Sequence, residues 1–152
     1  MRFMFLTRKH DSPLDFDVEL VKQKTSDNPV FYVQYMYARI NSVFNVAKEK
    51  NIELPSELDF SKLKLEEEKN LIELILSFPD VVLDAAKLLE PHNIAYYLIN
   101  LAQTFHSYYN AHRFINEDDI ALTRSRLSLL TLLKQTVRKG LLLLGIDTPE
   151  RM

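Results

Sequence analysis

Asn28-Pro29-Val30-Phe31-Tyr32-Val33-Gln34-Tyr35-Met36-Tyr37-Ala38-Arg39 says more about the fold of this chain than any other run of its length. It opens a helix. Asn28 is placed to cap with its side chain, and Pro29 suits the first helical position, where a missing N–H leaves no bond unmade. At helical spacing Val33, Ile40, Phe44 and Ala47 share one face with Val43 beside them, and Gln34, Asn41, Asn45 and Lys48 fall opposite. Tyr35 and Arg39 stand one turn apart at the edge of the apolar face. A cation held beside an aromatic ring at the water boundary offers a place for a nucleic-acid base to stack. A plain bundle helix has little reason to put four aromatics and an arginine in its first three turns.

Beyond this helix, which the pattern carries to about Asn51, Ile52 to Ser61 reads as a loop around Leu54-Pro55. A second helix begins near Leu63 and ends before Pro79, with Leu71, Ile72, Leu74, Ile75 and Phe78 as its apolar set. Glu66, Glu67 and Glu68 lie in its first turns, where the helix dipole favours them. Pro79 opens a third helix through Leu89, and a fourth runs from Pro91 to about Asn110. The polar connector Asn116-Glu117-Asp118-Asp119 leads into a fifth, with Gly145 as its C-cap. Upstream, Arg2 to Thr7 is β-prone and predicts a short strand, Asp11-Ser12-Pro13 a turn, and Asp17 to Lys24 a short helix. The expected fold is mainly α, a bundle of about five helices with a short N-terminal strand or helix.

The chain has 152 residues, 47% hydrophobic and 26% charged, enough for one buried core. It contains no cysteine, so disulfides and thiolate metal sites are excluded. No signal peptide is visible, and Leu127 to Leu144, the most apolar region, is interrupted by Lys134, Arg138 and Lys139 and cannot span a bilayer. A soluble, cytoplasmic protein is expected. The only two glycines are Gly140 and Gly145, so no phosphate-cradling Walker loop or dinucleotide fingerprint can be drawn. Net charge is −2, but residues 46–90 hold 11 acidic and 6 basic side chains (net −5), while the remainder holds 10 and 13 (net +3). One region therefore repels phosphate and another can meet it.

Several motifs extend the reading. Asn28-Pro29, Phe31-Tyr32-Val33-Gln34-Tyr35 and Ala38-Arg39 resemble the junction between the catalytic and anticodon-binding domains of arginyl-tRNA synthetases, a class I family. Upstream, Arg2-Phe3, Phe5-Leu6 and Ser12-Pro13-Leu14-Asp15-Phe16-Asp17 are similar to the end of that catalytic domain. Leu101-Ala102, Phe105-His106, Tyr109-Asn110, Gly145 and Pro149-Glu150-Arg151-Met152 resemble the family's terminal helices and C-terminus, whereas Asn51 to Glu90 is generic. The resemblance implies a catalytic-domain remnant at residues 1–28 and an all-α anticodon-binding domain of the DALR type at residues 29–152. It implies tRNA, through its anticodon stem-loop, and the catalytic domain of the same protein as partners. The His-Ile-Gly-His-like and Lys-Met-Ser-Lys-Ser-like motifs of ATP chemistry are absent, so this piece is expected to be inactive alone and to need no cofactor. ATP and magnesium would serve the whole arginine–tRNA ligase. The literal Asp-Ala-Leu-Arg string is missing, and Ile120-Ala121-Leu122-Thr123-Arg124 only loosely echoes it.

From the residues alone, Tyr35 and Arg39 read as a tyrosine packed under an arginine stem; the resemblance turns them into tRNA-binding residues. Gln34 could hydrogen-bond a base edge, and Tyr32 supports the core. Tyr109, Asn110 and Arg113 divide evenly between structural and RNA-binding roles, Arg113 as a phosphate contact, while Phe105 and His106 read as buried. The resemblance also sets Met152 against the anticodon loop, where a flexible thioether can touch a base. His10, His92, His106 and His112 do not have ligand spacing, and no metal site is expected. Asp118 and Asp119 read as caps rather than an acid–base pair. The cations of the fifth helix, Arg124, Arg126, Lys134, Arg138 and Lys139, read mostly as a solvated face, with Arg124 or Arg138 able to reach an RNA backbone. Two alternatives stay open: a stand-alone protein–protein module, such as a homo-oligomer using Leu127 to Leu144 as its seam, or the corresponding domain of another class I synthetase, such as those for cysteine or methionine.

Overall fold

Residues 2–9, 19, 22, 25 and 27–152 are described in the computed structural model, and every regular element among them is helical. In chain order these are α1 (Arg2–Leu6), α2 (Pro29–Glu49), α3 (Glu66–Leu88), α4 (His92–Ala111) and α5 (Ile120–Leu143). The turn at Asp11 to Pro13 and, apart from Glu19 and Lys22, the residues of the expected helix at Asp17 to Lys24 lie outside the described residues.

The start of α2 follows its sequence. The Asn28 side-chain oxygen accepts from the N–H groups of Val30 at 3.2 Å and Phe31 at 3.5 Å, and Pro29 holds the first helical position. Val33, Ile40 and Ala47 are fully buried. Asn41, assigned by the wheel to the polar face, is instead 8% exposed, because α2 is covered on two sides by α4 and α5. Asp119 caps α5, its Oδ1 accepting from the Leu122 N–H at 2.9 Å.

Three expectations are corrected. Arg2 to Thr7 forms a helical turn rather than a strand: Phe3 is buried among the helices, and the Thr7 N–H returns to the Phe3 and Met4 carbonyls. Over so few residues a weak alternation does not separate the two states, and burial of one ring decides. Second, Pro79 does not divide two helices but lies inside α3. Pro79 has no N–H to offer the Ile75 carbonyl; one residue earlier, the Leu74 carbonyl accepts from the Tyr97 hydroxyl at 2.8 Å and the Ser77 hydroxyl at 2.9 Å. The long packing of α3 on α4 holds the two halves in line. Third, the leucine-rich seam is not available to a second copy. Leu127, Leu129, Leu130, Leu133 and Leu141 are fully buried within this chain, leaving Leu142 and Leu143 exposed.

α2 and α3 each pack on both α4 and α5, so they lie on opposite sides of that central pair. At Gly140 on α5 a Cβ would come within 2.8 Å of the Leu98 side chain, which is why the two central helices approach closely there. Beyond α5, Gly145 adopts φ 66°, the Gly145 and Ile146 N–H groups return to the Leu142 and Leu141 carbonyls, and the chain turns back towards α2.

Candidate nucleic-acid interface

One turn of α2 and the last turns of α4 face each other, and the arginine between them organises the site. The Arg39 guanidinium carbon stands 4.5 Å from the centre of the Tyr35 ring and 4.5 Å from that of Tyr109. Its Nη1 donates to His106 Nδ1 at 3.3 Å and Asn110 Oδ1 at 3.4 Å. A planar cation between two rings, with its edge fixed by two acceptors, keeps its orientation as no lysine could. Tyr35 and Arg39 are half-buried on α2, Tyr109 is half-buried on α4, and Asn110 is exposed. Four of the seven residues singled out in the sequence thus form one cluster.

His106 belongs to the cluster as well, which its buried reading did not anticipate. Its Nε2 lies 3.2 Å from the Tyr32 carbonyl, an atom that can only accept, so Nε2 carries the proton and Nδ1 receives the Arg39 hydrogen bond. Burial pushes its ionisation below the ordinary value of 6.5; the Tyr32 carbonyl works the other way, and the Arg39 charge adds to the lowering. Neutral His106 also stacks on Tyr35, with ring centres 5.7 Å apart. The signal that could have found it is its position one turn before Asn110, on the flank of α4 that meets Tyr35.

Around this cluster the surface opens into three adjoining clefts. One, of about 520 Å³, runs between Tyr35, Arg39 and Tyr109 on one side and Glu150, Arg151 and Met152 on the other. A second, of about 490 Å³, lies over Phe31, Tyr32, Tyr35, His106 and Asn110. The third, of about 300 Å³, extends from Tyr109 to Arg113 and Phe114. Met152, 49% exposed, therefore reaches the cluster across 113 positions from Arg39 in sequence. Arg113 is exposed one cleft away. Gln34 makes a contact within the chain: its Nε2 donates to the Asp147 carbonyl at 2.8 Å, tethering the tail that carries Met152.

Arg126, expected on a solvated face, is 8% exposed and buried in an ion pair. Its Nε donates to Glu68 Oε1 at 2.9 Å, the Tyr108 hydroxyl donates to the same oxygen at 2.7 Å, and Arg126 Nη1 donates to the Arg113 carbonyl at 2.6 Å. Glu68 Oε2 accepts from the Lys64 and Leu65 N–H groups. Burial would raise the Glu68 carboxyl, but the hydrogen bonds from Tyr108, Leu65, Arg126 and Lys64 outweigh it and hold it below the usual carboxylate range. This network fixes the backbone at Arg113, the far border of the interface. No sequence pattern joins Glu68 to Arg126.

Residues 33–152 match the DALR anticodon binding domain. The chain is 48% identical to the arginine–tRNA ligase of Desulfosudis oleivorans, the match covering 99% of this chain and 28% of that protein. It is 45% identical to the arginine–tRNA ligase of Geobacter sp. strain M21, covering 99% of this chain and 27% of the relative. Among solved structures, the Thermus thermophilus arginyl-tRNA synthetase superimposes with a TM-score of 0.79 at 31% identity, covering 99% of this chain and 26% of that one. The chain spans little more than a quarter of the length of the curated relatives it matches.

Proposed function

The chain belongs to the DALR anticodon binding domain family, and from that premise we propose that it is the anticodon-binding part of an arginine–tRNA ligase. It holds the anticodon stem-loop of arginine tRNA while the rest of the enzyme charges the far end. The observation that supports this most directly is Arg39 between Tyr35 and Tyr109, beside an open cleft that Met152 borders. Unpaired bases of the loop lie against the tyrosine rings and the Met152 thioether. Asn110 offers a base edge its amide, and Arg113 meets a phosphate. Gln34 acts by holding the tail. Stacking on such a ring contributes about 1–3 kcal/mol per base.

Residues 1–28 are assigned to the end of a catalytic domain, and residues 29–152 to the RNA-binding unit. ATP and magnesium belong to the portion of the enzyme beyond this chain. The described residues do not fit a metal, since no three of their His, Asp or Glu groups converge to hold one. No helix among the described residues is long and apolar enough to cross a membrane, and the site of action is assigned to the cytoplasm. Identities of 48% and 45% to arginine-specific ligases favour arginine over the cysteine or methionine enzymes.

Binding of arginine-specific and unrelated tRNAs to the chain, with and without Tyr35→Ala, tests the proposal. Preference for arginine tRNA, weakened roughly five- to 150-fold by the substitution, is expected from loss of one stacked base. Equal affinity for every tRNA, untouched by the substitution, would overturn it. Arginine-dependent pyrophosphate exchange by this chain alone would defeat the assignment of the chemistry to another part.

A further inference from the structure

Glu68 and Arg126 form an ion pair that stability alone does not explain. Both side chains are almost wholly buried. Taking two charges out of water has a cost that their attraction often fails to offset, and an apolar pair of similar volume serves a core as well. What an apolar pair lacks is a directed donor. Arg126 Nε is held on Glu68 Oε1 at 2.9 Å, and in a planar guanidinium that contact also sets the direction of Nη1, which donates to the Arg113 carbonyl at 2.6 Å. The carboxylate cannot turn. Tyr108 donates to its Oε1 at 2.7 Å, and the Lys64 and Leu65 N–H groups donate to its Oε2 at 2.9 and 3.0 Å.

The connector between α4 and α5 is therefore gripped at Arg113 by groups from α3 and α5 together. Further along it, the Thr123 hydroxyl accepts from the Asn116 N–H and donates to the Asn116 carbonyl, both at 2.8 Å, and Phe114 is buried. Between these fixed points the Arg113 side chain is exposed, one cleft from the Arg39 cluster. A long cation carried on a loose loop must be ordered when a phosphate binds. On a backbone already held, less freedom is lost.

We propose that Arg126, oriented by Glu68, is a positioning residue for RNA binding: it fixes the backbone from which Arg113 meets a phosphate. This rests on the reading of Arg113 as a phosphate contact. Neither Arg126 nor Glu68 touches the RNA.

Two variants that leave the net charge unchanged test the proposal. Arg126→Lys keeps a cation beside Glu68, but one ammonium cannot stand where both Nε and Nη1 stood. Glu68→Gln with Arg126→Met removes one charge of each sign, and the new amide can still meet the Tyr108 hydroxyl and the two N–H groups. The probe is a hairpin carrying an arginine anticodon in a seven-nucleotide loop. Its binding is measured over a range of salt, with folding followed by circular dichroism, in the native and Arg113→Gln backgrounds. In the native background each variant should weaken binding about three- to tenfold and flatten the slope of log affinity against log salt by about 0.7 to 0.9, the loss of one phosphate contact. Added to Arg113→Gln, each should weaken binding less than about twofold, because the contact it serves is already gone. A core role alone would leave the salt slope of the folded variants unchanged, and that result overturns the proposal. A loss that persists in full beside Arg113→Gln also overturns it, as general loosening. The double variant decides if Arg126→Lys does not fold; if the double variant does not fold either, the pair is needed by the core and the proposal falls. Harmless Arg113→Gln would remove the phosphate contact and this inference with it, while harm from Tyr35→Ala would still uphold the anticodon reading.

Discussion

At the scale of single residues, the site depends on a histidine being neutral. His106 receives a hydrogen bond from Arg39 at 3.3 Å, and a second proton on Nδ1 would remove that acceptor and set two cations side by side. Its ionisation is lowered first by burial, then by Arg39, against the Tyr32 carbonyl. A histidine lowered in the folded state takes up its proton more readily when unfolded. The stability it contributes is complete above the unfolded value near 6.5 and is lost as pH falls below it. Denaturant melts between about pH 7.5 and 5.5 should show the native chain losing stability relative to His106→Gln as the solution acidifies. Parallel profiles would show that His106 is not held neutral. The tyrosines and Arg39 were legible because two one-turn spacings, Tyr35 with Arg39 and Phe105 with Tyr109, mark the flanks of two helices. That these flanks meet was not legible, since Arg39 and Asn110 are 71 positions apart.

Helix ends and the joins between helices follow rules of their own. α2, α3 and α5 finish alike, with a left-handed residue followed by an N–H that reaches back five positions: Ile52 to Ala47, Glu90 to Ala85 and Ile146 to Leu141, each at 2.9 Å. The left-handed residues are Asn51, Leu89 and Gly145, with φ of 54°, 57° and 66°. Gly145 was recognisable as a cap because glycine favours that geometry. Leu89 was not, because its Cβ opposes it and only the packing of α3 forces the turn. Leu89 is 84% exposed and loses little contact if truncated. Leu89→Gly should therefore raise stability by about 1 kcal/mol, relief of left-handed strain outweighing the greater freedom of the unfolded glycine. A fall in melting temperature would contradict this. The join at Glu68 behaves oppositely. Glu68→Ala leaves Arg126 buried without its carboxylate and Tyr108 without its acceptor, and should cost about 3–5 kcal/mol in urea melts. A loss under about 1 kcal/mol would mean that water repairs the network. The misplaced helix boundary at Pro79 has the same origin: local rules favour a break there, and the long contact of α3 with α4 overrides it.

Over the whole molecule, the topology separates charge. The acidic stretch, net −5 over residues 46–90, includes α3, and α3 lies across the α4 and α5 pair from α2, which carries Tyr35 and Arg39. Segregation along the sequence could be read directly, but not that the fold would set these segments on opposite sides; that follows from which helices share partners. A helix is about 10 Å across, so the outer face of α3 stands on the order of 20 Å from the interface. The screening length at physiological salt is about 8 Å, and at 0.01 M it is about 30 Å. Glu73, Asp80 and Asp84 are exposed on α3. Their triple replacement by Gln, Asn and Asn should alter RNA affinity less than about twofold near 0.15 M salt, because screening hides them. Near 0.01 M the same protein should bind more tightly than the native chain, since a repulsive field within one screening length has been removed. An equal gain at both salt concentrations would place these carboxylates beside the bound RNA, and the interface would then extend around α4 to the acidic side.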